Sequence, residues 1–159
     1  MKINNLKVLI NKKLHILLFS MLISFNSYGE NVCFETDGQV RDEIFYLSND
    51  TEPFTGKNLC VHEDGQFSIK GQFKDGKFDG NWTAWHENGQ IDREATFKDG
   101  KRDGKWTEWY ENGQIQSEGN YKDGKKDGKW TEWDENGQIK SEATYKDGEC
   151  VSGDCDYFK

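Results

Sequence analysis

Two histidines stand 24 residues apart, His62 and His86, and a glutamate follows each, Glu63 and Glu87. Two imidazoles and two carboxylates form a donor set suited to zinc, provided the fold stacks the two dipeptides. One and two periods further on, the position holds Tyr110 and Asp134, so it reads instead as a tolerant surface site. A second candidate is the aspartate pair of each "DGKxDG" stretch: Asp75/Asp79, Asp99/Asp103 and Asp123/Asp127. That spacing suggests a calcium loop, but the dense run of acidic ligands and the distal bidentate glutamate are missing. Turn-forming Asp-Gly explains these pairs better. His15 lies in an N-terminal apolar segment, and no G-x-S-x-G elbow, phosphate loop or cysteine with a partnering histidine occurs. The expectation is a non-enzyme with no catalytic residue, metal or cofactor.

The four cysteines, Cys33, Cys60, Cys150 and Cys155, suit an oxidising compartment. Cys33 and Cys60 each lie four residues before the Asp of a "DGQ" turn, so they hold equivalent places in successive repeats. Equivalent places in stacked hairpins are neighbours, which predicts a Cys33–Cys60 bridge. The "CVSGDC" stretch predicts a second bridge, Cys150–Cys155, closing a short loop. Residues 1–29 read as a signal peptide, with Lys2, Lys7, Lys12 and Lys13 before the apolar "LHILLFSMLISF" and cleavage expected between Gly29 and Glu30. The expected location is secreted or periplasmic.

Removing that segment sharpens the charge. It holds four of the 21 basic and none of the 29 acidic residues, which leaves 17 against 29, net −12. Such an acid excess repels phosphate backbones and anionic lipid, so neither nucleic acid nor membrane lipid is an expected partner.

The elements that position these groups are set by a 24-residue period. "ENGQI" stands at 87–91, 111–115 and 135–139. Units run 56–79, 80–103, 104–127 and 128–149, after a degenerate capping repeat at 30–55 and before a tail at 150–159. Asn-Gly at 88–89, 112–113 and 136–137 predicts hairpins with type I′ turns, in which both central residues have positive φ. Between turns lie short segments rich in Trp, Thr, Tyr, Phe and Ile, so each unit should build two strands. The fold class is therefore all-β: an elongated, quasi-one-dimensional antiparallel sheet of ten strands in tandem hairpins.

Its core should be an aromatic stripe of Trp82, Trp85, Trp106, Trp109, Trp130 and Trp133, with Phe73/Phe97/Tyr121/Tyr145 and Phe67/Ile91/Ile115/Ile139. Alternation places Ile115, Ser117, Gly119 and Tyr121 on one face. Trp106 and Trp109, three apart, then fall on opposite faces unless a bulge re-aims one of them.

The pattern "GxWTxWxENGQIxxExxYKDGKxDG", read from Gly80 and again from Gly104, resembles the MORN repeat in its bacterial variant. The "EPFTGKNLCVHEDGQ" stretch at 52–66 is similar to the lead-in of such arrays. The resemblance implies an antiparallel hairpin array. Bacterial chains of this kind look like YwqK-type antitoxins, which implies protein binding, whereas eukaryotic arrays are linked to phosphoinositide membranes and scaffolding. Export and acidity set this chain apart from both. The expected function is a non-catalytic protein-interaction module, antitoxin-like toward a basic partner, using the acid ladder Glu63, Glu87, Glu111 and Glu135 with Tyr110. The alternative is an extracellular glycan-binding array that stacks sugar rings on exposed Trp and Tyr; tryptophan exposure separates the two.

Overall fold

The structure is a computed structural model that describes residues 32–156. The expected signal peptide, its cleavage point and the last three residues of the tail lie outside the described residues. Every regular element described is a strand: β1 (Gly38–Arg41), β2 (Ile44–Leu47), β3 (Gly56–Val61), β4 (Phe67–Lys74), β5 (Lys77–Trp85), β6 (Ile91–Lys98), β7 (Lys101–Trp109), β8 (Ile115–Lys122), β9 (Lys125–Trp133), β10 (Ile139–Lys146) and β11 (Glu149–Gly153). Strands β3 to β11 form one antiparallel sheet in chain order, and β1–β2 is a separate hairpin. The tandem-hairpin architecture is the expected one. The expected ten-strand ribbon is corrected to nine strands plus a hairpin.

Turn chemistry also differs from expectation. The type I′ turns fall on Asp-Gly, as at Asp99 (φ 50°) and Gly100 (φ 83°), which join β6 to β7. At "ENGQ" only the glycine has positive φ, as in Gly89 (φ 79°). There the Gly89 amide donates to the His86 carbonyl and the His86 amide to the Gln90 carbonyl. The geometry is a type I turn closed by a left-handed glycine, the usual longer hairpin loop. Asn88 is free of the left-handed demand because five residues, rather than two, reverse the chain.

Two bulges per repeat decide which face each side chain takes. In β6, β8 and β10 one extra residue (Asp92, Gln116 or Lys140) interrupts the pairing with the preceding strand. Ile115 then opposes Trp109 while Ser117 opposes Glu108, so Ile115 leaves the face that Ser117, Gly119 and Tyr121 share. The expectation that all four lie together is corrected by this bulge. In β5, β7 and β9 three residues, for example 128–130, oppose the single Gly119 of the strand before. Gly128 supplies the positive φ (76°) that this wide bulge needs.

The wide bulge lays each tryptophan ring over a small residue. A row runs across the sheet as Gly71, Trp82, Ala95, Trp106, Gly119, Trp130, Ala143. Large and small alternate, so the rings fit between neighbouring strands at close packing. A Cβ on Gly71 or Gly119 would fall inside the ring of Trp82 or Trp130. Trp82, Trp106 and Trp130 are buried here with Phe73, Ala95, Ala143 and Tyr145.

The core is closed differently along its length. At the β3 end the β1–β2 hairpin and residues 32–34 cover it: Phe45 is buried against Phe73, and Phe34 meets Trp82 edge-on at 6.2 Å. Cys33–Cys60 bridges this cover to β3. Asn58, which replaces the tryptophan of later repeats, accepts the Phe34 amide through Oδ1. Further along, cations lie over the rings, with Arg102 4.4 Å from the Trp106 ring and Lys126 4.4 Å from Trp130. Burial against these rings lowers the Lys126 pKa from its ordinary value, with Glu132 and Glu108 opposing. At the far end Cys150–Cys155 closes the loop after β11, and the Asp154 amide donates to the Glu142 carbonyl.

Candidate interaction surface

The opposite face of the sheet carries what the core does not use. Period-two alternation from Trp106 through Thr107 and Glu108 puts Trp109 there, and Trp85 and Trp133 are its equivalents. All three are half-buried and belong to neither core cluster. The expectation of a six-tryptophan core is therefore corrected: Trp82, Trp106 and Trp130 are core, and Trp85, Trp109 and Trp133 line the open face.

Alternation splits the tryptophans, and the one-residue bulges of the following strands turn the residue after each "ENGQ" outward beside them. Trp85 opposes Ile91, Trp109 opposes Ile115 and Trp133 opposes Ile139, while the Phe67 ring lies 6.1 Å from Trp85. An outer row results: Phe67, Trp85, Ile91, Trp109, Ile115, Trp133, Ile139. Phe67 is 51% exposed and Ile139 59%. The expectation that Phe67, Ile91, Ile115 and Ile139 are core is corrected, because each sits on the far side of a one-residue bulge. The row is a continuous apolar stripe on the face of the sheet opposite the core.

One border of the row is the stacked "ENGQ" turns. There Asn88 accepts the Gln90 amide through Oδ1 and donates Nδ2 to the Glu111 carbonyl at 2.7 Å. Asn112 repeats this with Gln114 and Glu135. Asparagine is thus needed as donor and acceptor at once. The side chains of Glu63, Glu87, Glu111 and Glu135 are all exposed along this border. On the other side, buried Thr107 and Thr131 separate the row from the ion pairs Lys105–Glu118 and Lys129–Glu142.

The residue before each turn glutamate is structural, which corrects the reading of a tolerant surface site. His62 Nε2 lies 3.0 Å from the Trp85 carbonyl, His86 Nε2 lies 2.9 Å from that of Trp109, and the Tyr110 hydroxyl donates to Trp133 at 2.9 Å. Each thus reaches into the next repeat. Tyr110 is half-buried, with its hydroxyl held in this role. Asp134, where no further repeat follows, turns back and accepts the Asn136 and Gln138 amides of its own turn. The Gln138 bond, with the one from Asn136, holds its carboxyl below the ordinary aspartate pKa.

Nor does the structure gather His62, Glu63, His86 and Glu87 around one point. Among the described residues the one group of three potential ligands is Cys33, Glu35 and Cys60, whose sulfurs are joined to each other. The first aspartate of each "DGKxDG" stretch is used by a turn, with Asp75, Asp99 and Asp123 in the left-handed region, and the second, Asp79, Asp103 or Asp127, lies in β5, β7 or β9. Two disulfides suit an oxidising extracellular or periplasmic compartment.

No curated protein matches the chain. Residues 78–99, 102–123 and 126–147 each match the MORN repeat variant, in register with the three strand pairs β5–β6, β7–β8 and β9–β10. Such repeats are protein- and membrane-interaction modules and are typically non-catalytic. With their hairpin period, their turn ladder and these three tandem matches, residues 78–147 are three tandem repeats of the MORN repeat variant.

Proposed function

We propose that the mature chain is an exported, non-catalytic module that binds a basic protein partner through the outer row, in the manner of an antitoxin holding its target. The observation that carries the reading is the outer row itself, an apolar stripe left open on one face and bordered by four exposed glutamates. Apolar contact supplies affinity, and the acid border selects a basic partner and speeds encounter. Export rests on the basic–apolar character of residues 1–29 and on the two disulfides. The domain division is that read from the sequence, with 30–55 as cap, 56–149 as the repeats and 150–159 as the closing loop.

The test is affinity capture from the extracellular or periplasmic fraction of the producing cells, with native chain and Ile139→Asp side by side. A basic protein retained by the native chain and lost with Ile139→Asp is the expected result. Retention of the same proteins by both chains would sink the reading. Half-buried tryptophans at regular repeat spacing favour a second reading, stacking on a glycan; recovery of polysaccharide alone would establish that one instead.

A further inference from the structure

Successive tryptophans of the outer row are two strands apart, which is about 9.6 Å at the spacing of hydrogen-bonded strands. A polyproline II helix repeats every three residues at about 3.1 Å each, or about 9.3 Å per turn. The two periods nearly coincide, so one edge of such a helix, laid across the strands, would set one residue on each tryptophan. Phe67 and the three isoleucines complete a stripe of seven residues, about 29 Å across the six intervals of the strand spacing, or about nine residues of polyproline II.

The chemistry of the stripe agrees with its period. Proline rings pack on tryptophan, and a polyproline II segment is already extended, so little chain entropy is lost on docking. Its backbone carbonyls, unpaired in that helix, remain hydrated on the side away from the row. Charge chooses among such segments: Glu63, Glu87, Glu111 and Glu135 line one border. Two lysines of the face, Lys105 and Lys129, are held by Glu118 and Glu142. Lys57 of β3 and Lys70 of β4 lie across the row from that border, where Lys70 pairs with Thr83 and shares a shallow pocket with Trp85.

We infer that the outer row is a polyproline II receptor, and that the partner presents a proline-rich, Lys- or Arg-bearing segment running across the strands with one proline per repeat. This inference rests on the proposed protein-binding reading of the same row.

The probe is a synthetic peptide of about five Pro-Pro-Lys triplets, long enough to cover the row. Titration into the disulfide-intact chain is followed by tryptophan fluorescence and calorimetry. Two controls run beside it: a Gly-Ser-Lys peptide of equal length and charge, and a soluble chito-oligosaccharide. Saturable binding of the Pro-Pro-Lys peptide, at least tenfold tighter than Gly-Ser-Lys, is expected. Ile139→Asp and Ile115→Asp should each weaken it tenfold or more, and Glu111→Lys severalfold with a flatter salt dependence. Arg102→Ala, on the core face, should leave it unchanged. If Ile115→Asp loses its fold by circular dichroism, the more exposed Ile139→Asp decides.

Equal binding of the two peptides would reduce the effect to charge and overturn the inference, as would binding of the oligosaccharide alone or of nothing. A cellular protein captured in an Ile139-dependent way, but not displaced by Pro-Pro-Lys, would overturn the inference while leaving the protein-binding reading intact.

Discussion

At the scale of single residues, packing in this array is controlled by what is missing. Gly119 has no side chain because the Trp130 ring occupies that space, while Ala95 and Ala143 tolerate one carbon in their places in the same row. Gly119→Ala should therefore cost about 1–3 kcal/mol by overpacking. Urea unfolding measures it, and a stability equal to the native chain would show that the ring moves aside freely. Asp134 governs a different balance. Two backbone amides from its own turn hold its carboxyl below the ordinary range, and Lys129 does the same to Glu142. A carboxyl whose folded pKa is lowered binds protons more readily in the unfolded chain. Its contribution is thus complete above the ordinary carboxylate range and is lost as pH falls through the lowered folded value. Urea midpoints should fall as pH drops below the ordinary carboxylate range, less steeply in Asp134→Ala. Parallel pH curves for the two chains would refute the assignment.

At the scale of elements, the ends of the array are treated differently from its middle. Each inner repeat is hydrogen-bonded by the next, through Asn88 and Asn112 at the turns and His62, His86 and Tyr110 at the tryptophan carbonyls. The ends lack such a neighbour on one side and carry the disulfides instead. Cys33–Cys60 spans a sequence separation of 27, Cys150–Cys155 one of 5. Loop-closure entropy assigns about 3.6 kcal/mol to the longer bridge and about 2 kcal/mol to the shorter. The double variant Cys150→Ser/Cys155→Ser should leave the array folded and release β11. Hydrogen exchange should then lose protection at Glu149–Gly153 and keep it in β7 and β8. Protection lost evenly along the sheet would show instead that the loop supports the whole array.

At the scale of the whole molecule, the chain is a stack in which each unit touches its neighbours, so stability should be close to a sum over units and interfaces. Deleting residues 104–127 joins Asp103 to Gly128, the same dipeptide as the natural Asp127–Gly128 junction. The shortened chain should fold, with a urea m-value lower in proportion to the surface removed. A chain that does not fold would mean that the array is not additive. The outer row would also lose one Trp–Ile pair, which ties its length to the number of repeats.

Much of this was legible before the fold. The 24-residue period, strand content and neighbouring cysteines follow from local chemistry: glycine and asparagine reverse the chain, and equivalent places in stacked hairpins lie side by side. What only the tertiary structure decided is the face that each aromatic takes. Period-two reading assumes unbroken alternation, and bulges at Ser68, Asp92, Gln116 and Lys140 break it by one residue each. A bulge is set by how two strands pair, not by the residues of one, so Ile115 and Phe67 read as core while they stand on the open face. Buried Trp106 and half-buried Trp109 are alike in sequence. Only the small residues of the next strand beneath one, and the isoleucine opposite the other, separate the tryptophan that holds the sheet together from the tryptophan it presents.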